Sequence, residues 1–302
     1  MFQKTVPYTI VWFLLFVASV CLADVDSAPY LRFGAGARSV GMAGASTAVA
    51  DGASSAVLNP AGLTNVDGLA FTLATQRLSF DRNHSFVGVA KNLTPQSTIG
   101  LAITSFEVAG IKEVTNAGEE KGTFPYGSGA YTLSYGHALE QVNLGVSLRV
   151  ISDKFGLDSD SRQTGLGGLD LGVLGKLYSN TVFYGATLKN LGGSTASALD
   201  LGVAFRYGGK NAVTVALDLG TEFANIEEST TAVKLGLEYI LANMFAIRGG
   251  TQRSANRTSL YVGFGVNVAN FDVNYAIKPV DSTDFDVVGD ANTHYVSLSY
   301  SY

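Results

Sequence analysis

The sequence is poor in cysteine and in charged residues, and its basic residues do not outnumber its acidic ones. It contains one cysteine, one tryptophan and three methionines in 302 residues. Charged residues make up 15% of the chain, against about 25% in an average soluble domain. A net charge of −5 excludes a protein that binds nucleic acid through a basic face. A disordered chain is also excluded, because disorder requires low hydrophobicity and high net charge.

Long apolar runs are missing after the first two dozen residues, although the chain as a whole is apolar. Hydrophobic residues make up 47% of it, and its mean hydropathy is +0.22. A membrane-spanning helix needs about 20 consecutive apolar residues, and no later segment approaches that length. Glycine and aromatic residues are abundant, with 35 Gly, 17 Phe and 14 Tyr. This composition leaves two fold classes, a soluble all-β protein and a membrane β-barrel.

Residues 1–23 are predicted to form a secretory signal peptide. Lys4 supplies a positive charge before the apolar stretch of residues 10–20, and the small residues Cys21 and Ala23 define a cleavage site. Lipidation of Cys21 is the alternative, which the bulky residue before it disfavours. Cleavage after Ala23 leaves a mature chain without cysteine, so disulfide and thiol chemistry are excluded there. We therefore expect a protein that is exported from a bacterial cytoplasm.

The remaining residues, 68–302, alternate between apolar side chains and polar or small ones. In one segment Leu260, Val262 and Phe264 share a face opposite Tyr261 and Gly263. A period of two places successive side chains on opposite faces of a sheet. About fourteen segments of about ten residues show this pattern between turn residues. We predict strands at residues 69–80, 84–92, 97–108, 128–139, 142–154, 166–178, 181–191, 199–207, 212–223, 230–241, 244–253, 257–268, 271–279 and 294–302.

Three features favour a membrane barrel over a soluble sandwich. Strands of about ten residues suit a tilted crossing of the hydrocarbon layer, whereas globular strands average about five to six. The polar face carries isolated charges, which a sandwich core would not tolerate but a plugged or water-filled lumen accepts. The three longest predicted connections all follow odd-numbered strands, and they are residues 109–127, 155–165 and 280–293. The connections that follow even-numbered strands are tight. Outer-membrane barrels combine long external loops with short periplasmic turns.

We therefore predict an all-β fold, a transmembrane antiparallel β-barrel of about 14 strands in the lipid bilayer of the bacterial outer membrane. The last strand alternates serine with apolar residues and ends at Tyr302. An aromatic last residue on such a strand resembles the signal read by the barrel-assembly machinery, which we expect as a partner. A barrel of this width also needs a plug, because its own side chains cannot fill the lumen.

Residues 24–67 do not alternate and are long enough to supply that plug. They contain the sequences Phe33-Gly34-Ala35-Gly36-Ala37-Arg38, Gly41-Met42-Ala43-Gly44-Ala45 and Leu58-Asn59-Pro60-Ala61-Gly62-Leu63, with a run of small residues up to Asp51. Between Ser39 and Ala50 the composition fits a short, closely packed helix or a compact coil. Its Gly and Ala content allows the backbone to approach a neighbouring wall. Pro60 and Gly62 predict a turn before the first strand.

These motifs, in this order and spacing, resemble the N-terminal segment of the FadL-like outer-membrane family, most closely its PorV/PorQ branch. Gly52 stands where a second Asp is common in that family, and Leu58 where an aromatic often precedes Asn-Pro. The resemblance implies that the segment folds back into the barrel as a hatch. It points to hatch-motif residues Gly34, Gly36, Arg38, Gly41, Gly44, Asp51, Asn59, Pro60 and Gly62.

Catalytic and metal-binding patterns are sparse. The three histidines lie far apart without metal-ligand spacing, and we expect His84 and His294 near strand ends, at the surface or in the girdle of the barrel. Nucleophile elbows and phosphate loops are missing from the sequence, so we expect neither an enzyme nor a cofactor. The candidate substrate-binding residues are Arg149, Lys234 and Arg248, whose charges suit a carboxylate head group. The alternative is that lumen acids and bases pair between neighbouring strands and anchor the hatch.

The resemblance implies two functions. The leading hypothesis is passive transport of small hydrophobic molecules, such as long-chain fatty acids, across the outer membrane. The alternative is an accessory or shuttle barrel of a protein-secretion system, whose protein partners would bind external loops around Val108–Pro125 and Val280–Thr293. A general porin is disfavoured, because a hatch would block an open channel.

Overall fold

The computed structural model describes residues 28–78, 81–114, 118, 120–155, 162–178, 180–223, 229–255, 257–279 and 292–302. The predicted signal peptide, residues 1–23, lies outside this described part of the chain, as does most of the predicted connection 280–293. Both therefore stay predictions.

Fourteen antiparallel strands form one closed barrel. They are β1 Leu69–Leu78, β2 Arg82–Thr94, β3 Ser97–Val114, β4 Glu120–Ala138, β5 Val142–Phe155, β6 Arg162–Leu177, β7 Val182–Leu191, β8 Ser197–Gly208, β9 Ala212–Phe223, β10 Ser229–Leu241, β11 Phe245–Ser254, β12 Arg257–Val268, β13 Phe271–Lys278 and β14 Thr293–Ser301. Pairing of β1 with β14, from Ala70↔Ser301 to Arg77↔His294, closes the sheet. Closure satisfies the backbone groups that lipid would leave unpaired. The predicted fold class and strand number are confirmed.

The alternation along each strand separates an apolar outer face from an inner face of small and polar residues. In β9, Val215 and Leu217 are exposed on the outside, whereas Thr214, Ala216 and Asp218 are buried inside. The same arrangement recurs around the barrel, for example in β12, where Leu260 and Phe264 are exposed. An apolar belt of this extent is matched by hydrocarbon and not by water. The outer surface is therefore that of a transmembrane barrel.

One predicted loop, residues 109–127, is instead largely a strand hairpin. β3 and β4 stay paired as far as Val114↔Glu120, beyond the ends of the neighbouring strands, with a register shift between Val108 and Ile111. The ion pair between Lys112 Nζ and Glu120 Oε1, at 2.5 Å, spans the hairpin, and cross-strand pairs of this kind stabilise strand pairing. The predicted connection 155–165 is likewise shortened, because β5 runs to Phe155 and β6 begins at Arg162.

The N-terminal segment contains short helical pieces. Two are 3-10 helices, Pro29–Phe33 and Pro60–Asn65, and two are single-turn α-helices, α1 Ala37–Gly41 and α2 Ser55–Leu58. The stretch from Ser39 to Ala50 thus combines a short helix with a compact coil. Among the described residues, none of the helices has the length and hydropathy of a membrane-spanning helix.

The N-terminal segment lies inside the barrel. Ala56 and Leu63 pack against Phe86 of β2 and Ala102 of β3, in an apolar cluster of fully buried side chains. On the opposite side Met42 and the small residues that follow it pack against inward-facing alanines of β8 and β9. The prediction of a hatch within the lumen is confirmed.

Candidate functional site in the barrel lumen

The hatch, defined here as residues 28–67, follows the inner wall in two arcs. Arc one, residues 37–47, begins at β14, where the Ala37 amide donates to Ser297 Oγ over 3.1 Å, and ends against β7 and β8. Arc two, residues 53–63, lies against β2 to β6. The two arcs therefore cover most of the circumference of the lumen.

Glycines on the inner face of the wall allow the hatch backbone to touch the strands. A Cβ atom at Gly145 would lie 2.1 Å from the Ala61 amide nitrogen, and one at Gly172 would lie 2.2 Å from Asn59 Oδ1. A Cβ atom at Gly185 would lie 2.4 Å from the Thr47 carbonyl oxygen. Since all three distances are shorter than any contact of a real Cβ, alanine at these positions would displace the hatch. Further wall glycines that approach the hatch are Gly88, Gly100, Gly136, Gly202, Gly236, Gly250 and Gly263.

Asn59 connects the two arcs and is itself fully buried. Its side-chain Nδ2 donates to the carbonyl of Thr47 in arc one, over 2.9 Å, and to the carbonyl of Val173 in β6, over 3.1 Å. Its Oδ1 accepts from the Ala61 amide over 3.2 Å, which caps the 3-10 helix that begins at Pro60. An amide side chain is needed here, because it alone supplies two donors and an acceptor in one planar group.

Arg38 lies at the centre of a charged cluster between hatch and wall. Its Nε and Nη2 donate to the two carboxylate oxygens of Glu238, each over 2.9 Å, and its Nη1 lies 2.5 Å from Asp51 Oδ2. Glu238 Oε2 also accepts from Arg248 Nε over 2.7 Å. Burial opposes the charge of Arg38, but the carboxylates of Asp51 and Glu238 outweigh this effect and raise the pKa of the guanidinium above its ordinary value. The guanidinium therefore stays charged and holds the cluster together.

A second wall carboxylate, Asp218 of β9, holds the end of arc one. Its Oδ2 accepts from the backbone amides of Ser46 and Thr47 over 2.9 and 2.8 Å. These amides have no partner in a regular helix or strand, and a charged acceptor satisfies both of them strongly.

The remaining hatch-motif residues act through their small size and backbone geometry. Gly34 and Gly44 have φ of +89° and +76°, which L side chains rarely adopt. A Cβ atom on Gly263 would lie 3.0 Å from Gly41 Cα, so that α1 touches β12 directly. At Gly62 a Cβ atom would lie 2.5 Å from the Ala50 carbonyl oxygen. Gly36 precedes α1 and faces β14.

The hatch divides the lumen into two chambers. The outer chamber, at the end with the longer connections, has a volume of about 630 Å³. The inner chamber, at the end with the tight turns, has a volume of about 600 Å³. Three hatch residues, Ser39, Ser46 and Leu58, line both chambers. They therefore belong to the part of the partition that borders both chambers.

The three basic residues predicted to bind substrate do not come together. Arg149 and Lys234 line the outer chamber, whereas Arg248 lines the inner one. Arg149 Nη2 is paired with Asp170 Oδ2 at 2.6 Å, and Arg248 donates to Glu238 and, through Nη1, to Asn274 Oδ1 over 2.8 Å. These two arginines have the paired geometry of the alternative interpretation, in which lumen charges anchor neighbouring elements to each other.

Lys234 differs from the two arginines, because its acidic partner, Asp200, also pairs with a second lysine. Asp200 accepts from Lys189 at 2.9 Å on one oxygen, and Lys234 Nζ lies 3.7 Å from the other. All three side chains are partly exposed to the outer chamber. Lys234 also lies opposite Asp218 of β9 in the strand register, so two carboxylates face the two ammonium groups. The predicted binding residues do not include Lys189, although the inward parity of β7 places it on the lumen face near Asp200.

The prediction that His84 lies at the surface is wrong. His84 is 3% exposed and points into the lumen, where Phe33 meets its ring edge-on at 5.7 Å between centroids and Tyr30 lies nearby at 6.3 Å. The parity of β2 explains the difference, since His84 shares the inner face with Phe86 although it lies near a strand end. His294 is on the outer face and exposed, as predicted.

The lumen offers binding surfaces and little reactive chemistry. In the described part of the chain no group of three or more His, Cys, Asp or Glu side chains is placed to hold a metal ion. The charged residues of the cluster around Glu238 are neutralised by each other, and the outer chamber mixes Leu31, Phe33 and Val40 with the lysine pair. This arrangement can hold a small molecule with an apolar body, with or without an anionic end.

A closed, externally apolar barrel with a lumen divided by its own N-terminal segment defines a class, the hatch-containing transmembrane barrels. No family model and no curated protein matches the sequence. Solved structures do match it. The toluene transporter TodX of Pseudomonas putida has a TM-score of 0.66 at 13% identity, covering 93% of this chain and 99% of that chain.

Two further structures show the same similarity. The toluene transporter TbuX of Ralstonia pickettii has a TM-score of 0.63 at 12% identity, over 89% of this chain and 98% of that chain. A FadL homologue of Pseudomonas aeruginosa has a TM-score of 0.57 at 11% identity, over 89% and 98%. At such identities the similarity concerns the fold, and the FadL-like fold inferred from the hatch motifs is confirmed. The PorV/PorQ branch finds no support among these structures.

Proposed function

We propose that the protein is an outer-membrane channel for passive transport of small hydrophobic molecules. The observation that carries the proposal is the divided lumen, with two chambers of about 630 and 600 Å³ on either side of the hatch. A porin needs a continuous aqueous path, whereas stepwise binding of a solute needs enclosed sites of this size. The fold similarity to proteins described as toluene transporters supports the proposal.

The outer chamber suits two substrate chemistries. Its apolar side chains can bind the body of a neutral hydrocarbon. The lysine pair on Asp200 can in addition bind the carboxylate of a long-chain fatty acid, because Lys234 Nζ lies 3.7 Å from Asp200 and its side chain is 21% exposed in the chamber. We propose Lys234 as the residue that makes this contact. Arg149 and Arg248 anchor the wall and hatch.

Uptake by cells separates these possibilities. Cells lacking their own hydrophobic-uptake barrels would express the wild-type protein, and the initial uptake rates of labelled oleate and labelled toluene would be measured. We expect both rates to exceed those of cells without the protein. In the variant K234M, Asp200 keeps Lys189, so the fold is expected to persist. Oleate uptake should fall roughly fivefold, the equivalent of about 1 kcal/mol for one lost hydrogen bond, with toluene uptake unchanged. Uptake equal to that of cells without the protein would refute the proposed function.

A second candidate is the accessory role in protein secretion that the hatch motifs also imply. The projecting β3–β4 hairpin favours it, because Ile111 and Val114 sit beyond the ends of β2 and β5 among charged residues. Cross-linking from a cysteine placed at Lys112 would test it. Capture of secretion components would support this role, and capture of the barrel-assembly machinery alone would count against it.

Localisation follows from the same proposal. The apolar belt requires a bilayer, and we propose the bacterial outer membrane, reached through the signal peptide of residues 1–23. The strand that ends at Tyr302 would be recognised by the barrel-assembly machinery. Fractionation of cells producing the wild-type chain and one lacking Tyr302 would test both steps.

A further inference from the structure

Two polar side chains, Gln76 of β1 and His84 of β2, are buried in the wall of the outer chamber. Gln76 is 2% exposed and His84 is 3% exposed, and the two residues are register partners on neighbouring strands. Residues directly opposite each other in an antiparallel pair have Cβ atoms about 4.5–5.5 Å apart, so the two side chains are neighbours on the inner face. Leu78, on the same face of β1, and Tyr295, the register partner of Gln76 on β14, both line the chamber. The Gln76–His84 pair therefore lies directly behind the chamber surface.

The polar atoms of this pair have no hydrogen-bond partner within the described part of the chain. This holds for both polar side-chain atoms of Gln76, Nε2 and Oε1, and for Nε2 of His84. Buried polar groups in folded proteins are nearly always paired, because an unpaired donor or acceptor keeps the full cost of leaving water. The pair therefore presents an amide group and a ring nitrogen that can bond to another molecule.

Aromatic rings lie against the pair on the side of the hatch. Phe33 meets the His84 ring edge-on at 5.7 Å between centroids, and Phe106, the register partner of His84 on β3, lies 6.0 Å from Phe33. Phe33 is half-buried and lines the chamber, so its side chain stands between His84 and the chamber space. Aromatic rings attract one another in edge-to-face and offset arrangements, so an aromatic solute can make the contacts that Phe33 makes here.

The chemistry of the pair selects a hydroxyl group. A hydroxyl placed between the two side chains can donate to one and accept from the other, whichever nitrogen of the ring carries the proton. A carboxylate only accepts and has no proton for Gln76 Oε1, and a bare hydrocarbon pairs with none of the three atoms. We propose that the Gln76–His84 pair is a subsite of the outer chamber for the hydroxyl group of an aromatic solute, a phenol or an aromatic alcohol. The solute reaches the pair when the Phe33 side chain rotates, with the hatch backbone in place.

This inference rests on the proposed transport of hydrophobic molecules and names a substrate class for the outer chamber. Toluene and p-cresol are matched probes, because they differ by one hydroxyl group and both are uncharged at neutral pH. The variants H84F and Q76L each remove polar atoms of the pair and keep a side chain of similar size. T132V is the matched control, since Thr132 Oγ1 is also a buried wall atom without a hydrogen-bond partner in the described residues, and Thr132 lines neither chamber.

Binding would be measured by equilibrium dialysis of each labelled probe against purified protein in lipid nanodiscs, with the uptake of empty nanodiscs subtracted. Folding of each variant would be verified by its heat-modifiable mobility in gel electrophoresis. We expect wild type and T132V to bind p-cresol more tightly than toluene. H84F and Q76L should each bind p-cresol about two- to tenfold more weakly than wild type, the range expected for one lost hydrogen bond, with toluene binding unchanged.

Equal affinity of the wild-type protein for p-cresol and toluene would overturn the subsite. Undiminished p-cresol affinity in H84F and Q76L, or an equal loss in T132V, would also overturn it. If cells with the wild-type protein take up toluene no faster than cells without it, the transport function fails. Dialysis of the purified proteins does not depend on uptake and would still decide whether the pair binds the hydroxyl group.

Discussion

Replacement of Glu238 by Gln tests whether the charged cluster holds the hatch to the wall. The Glu238 side chain is fully buried and accepts from both Arg38 and Arg248. In E238Q the two guanidinium groups keep their charges and lose the carboxylate between them. Arg38 keeps Asp51, but Arg248 keeps only the neutral Asn274 and stays buried without a counter-charge. Removing one partner from a buried ion pair in this way costs about 3–5 kcal/mol.

The variant R248M provides the comparison. In it Glu238 remains bound to Arg38 through two hydrogen bonds of 2.9 Å, so no buried charge loses all its partners. The expected loss is that of hydrogen bonds to a charged group, about 1.5–3 kcal/mol. Replacement of Glu238 should therefore lower the free energy of unfolding more than replacement of Arg248.

Urea-induced unfolding of the reconstituted barrel would measure these free energies, with limited proteolysis reporting release of the hatch. The double variant E238Q/R248M should be less destabilised than the sum of the single variants, because it removes charges on both sides. If R248M costs as much as E238Q, or if the effects add, the reasoning from an uncompensated buried charge is wrong.

Two further predictions follow from the hatch contacts. G172A places a Cβ 2.2 Å from Asn59 Oδ1. We expect it to displace arc two, so that bilayer recordings show a steady ion conductance that wild type lacks; a silent G172A protein would contradict the role of this glycine. The second prediction concerns Tyr30, whose hydroxyl is hydrogen-bonded to Ser128 at 2.8 Å. Burial raises the pKa of this hydroxyl from 10.0 to about 12. Its contribution to stability is complete below pH 10 and is lost as the pH rises towards 12. Protease sensitivity of the hatch should therefore increase over that interval in wild type and not in Y30F, and equal profiles would refute this.

The strands could be predicted because each obeys one local rule. β9 and β12 were predicted at 212–223 and 257–268 and have those limits in the structure, since alternating Val, Leu and Phe leave one register that turns apolar groups outward. The alternation of apolar and polar residues was a less accurate guide at the ends of the strands. At His84 and along residues 109–127, a polar or charged composition indicated surface or loop, while the pairing with neighbouring strands continued.

The candidate site was less predictable, because its contacts join residues far apart in the chain. Arg38 was recognised as part of a motif, but its partner Glu238 is 200 residues away and is one of many lumen charges. Barrel register relates neighbouring strands, so the pairing of Lys189 with Asp200 was accessible from parity. The hatch has no such register, and its position against Gly145 and Gly172 depends on packing that no local pattern encodes.

The hatch is attached to the wall in two different ways. Arc two is held by backbone contact with wall glycines and by Asn59. The interaction energy of such close contacts falls steeply when the atoms separate by a fraction of an ångström. Arc one is held at Asp218 and Glu238 by charged groups, and its link to the rest of the hatch through Asp51 faces water. Closely packed groups have little room to move, whereas the charged groups of an exposed ion pair can separate, bind water and pair again. The contact through Asp51 is therefore the weakest of these attachments.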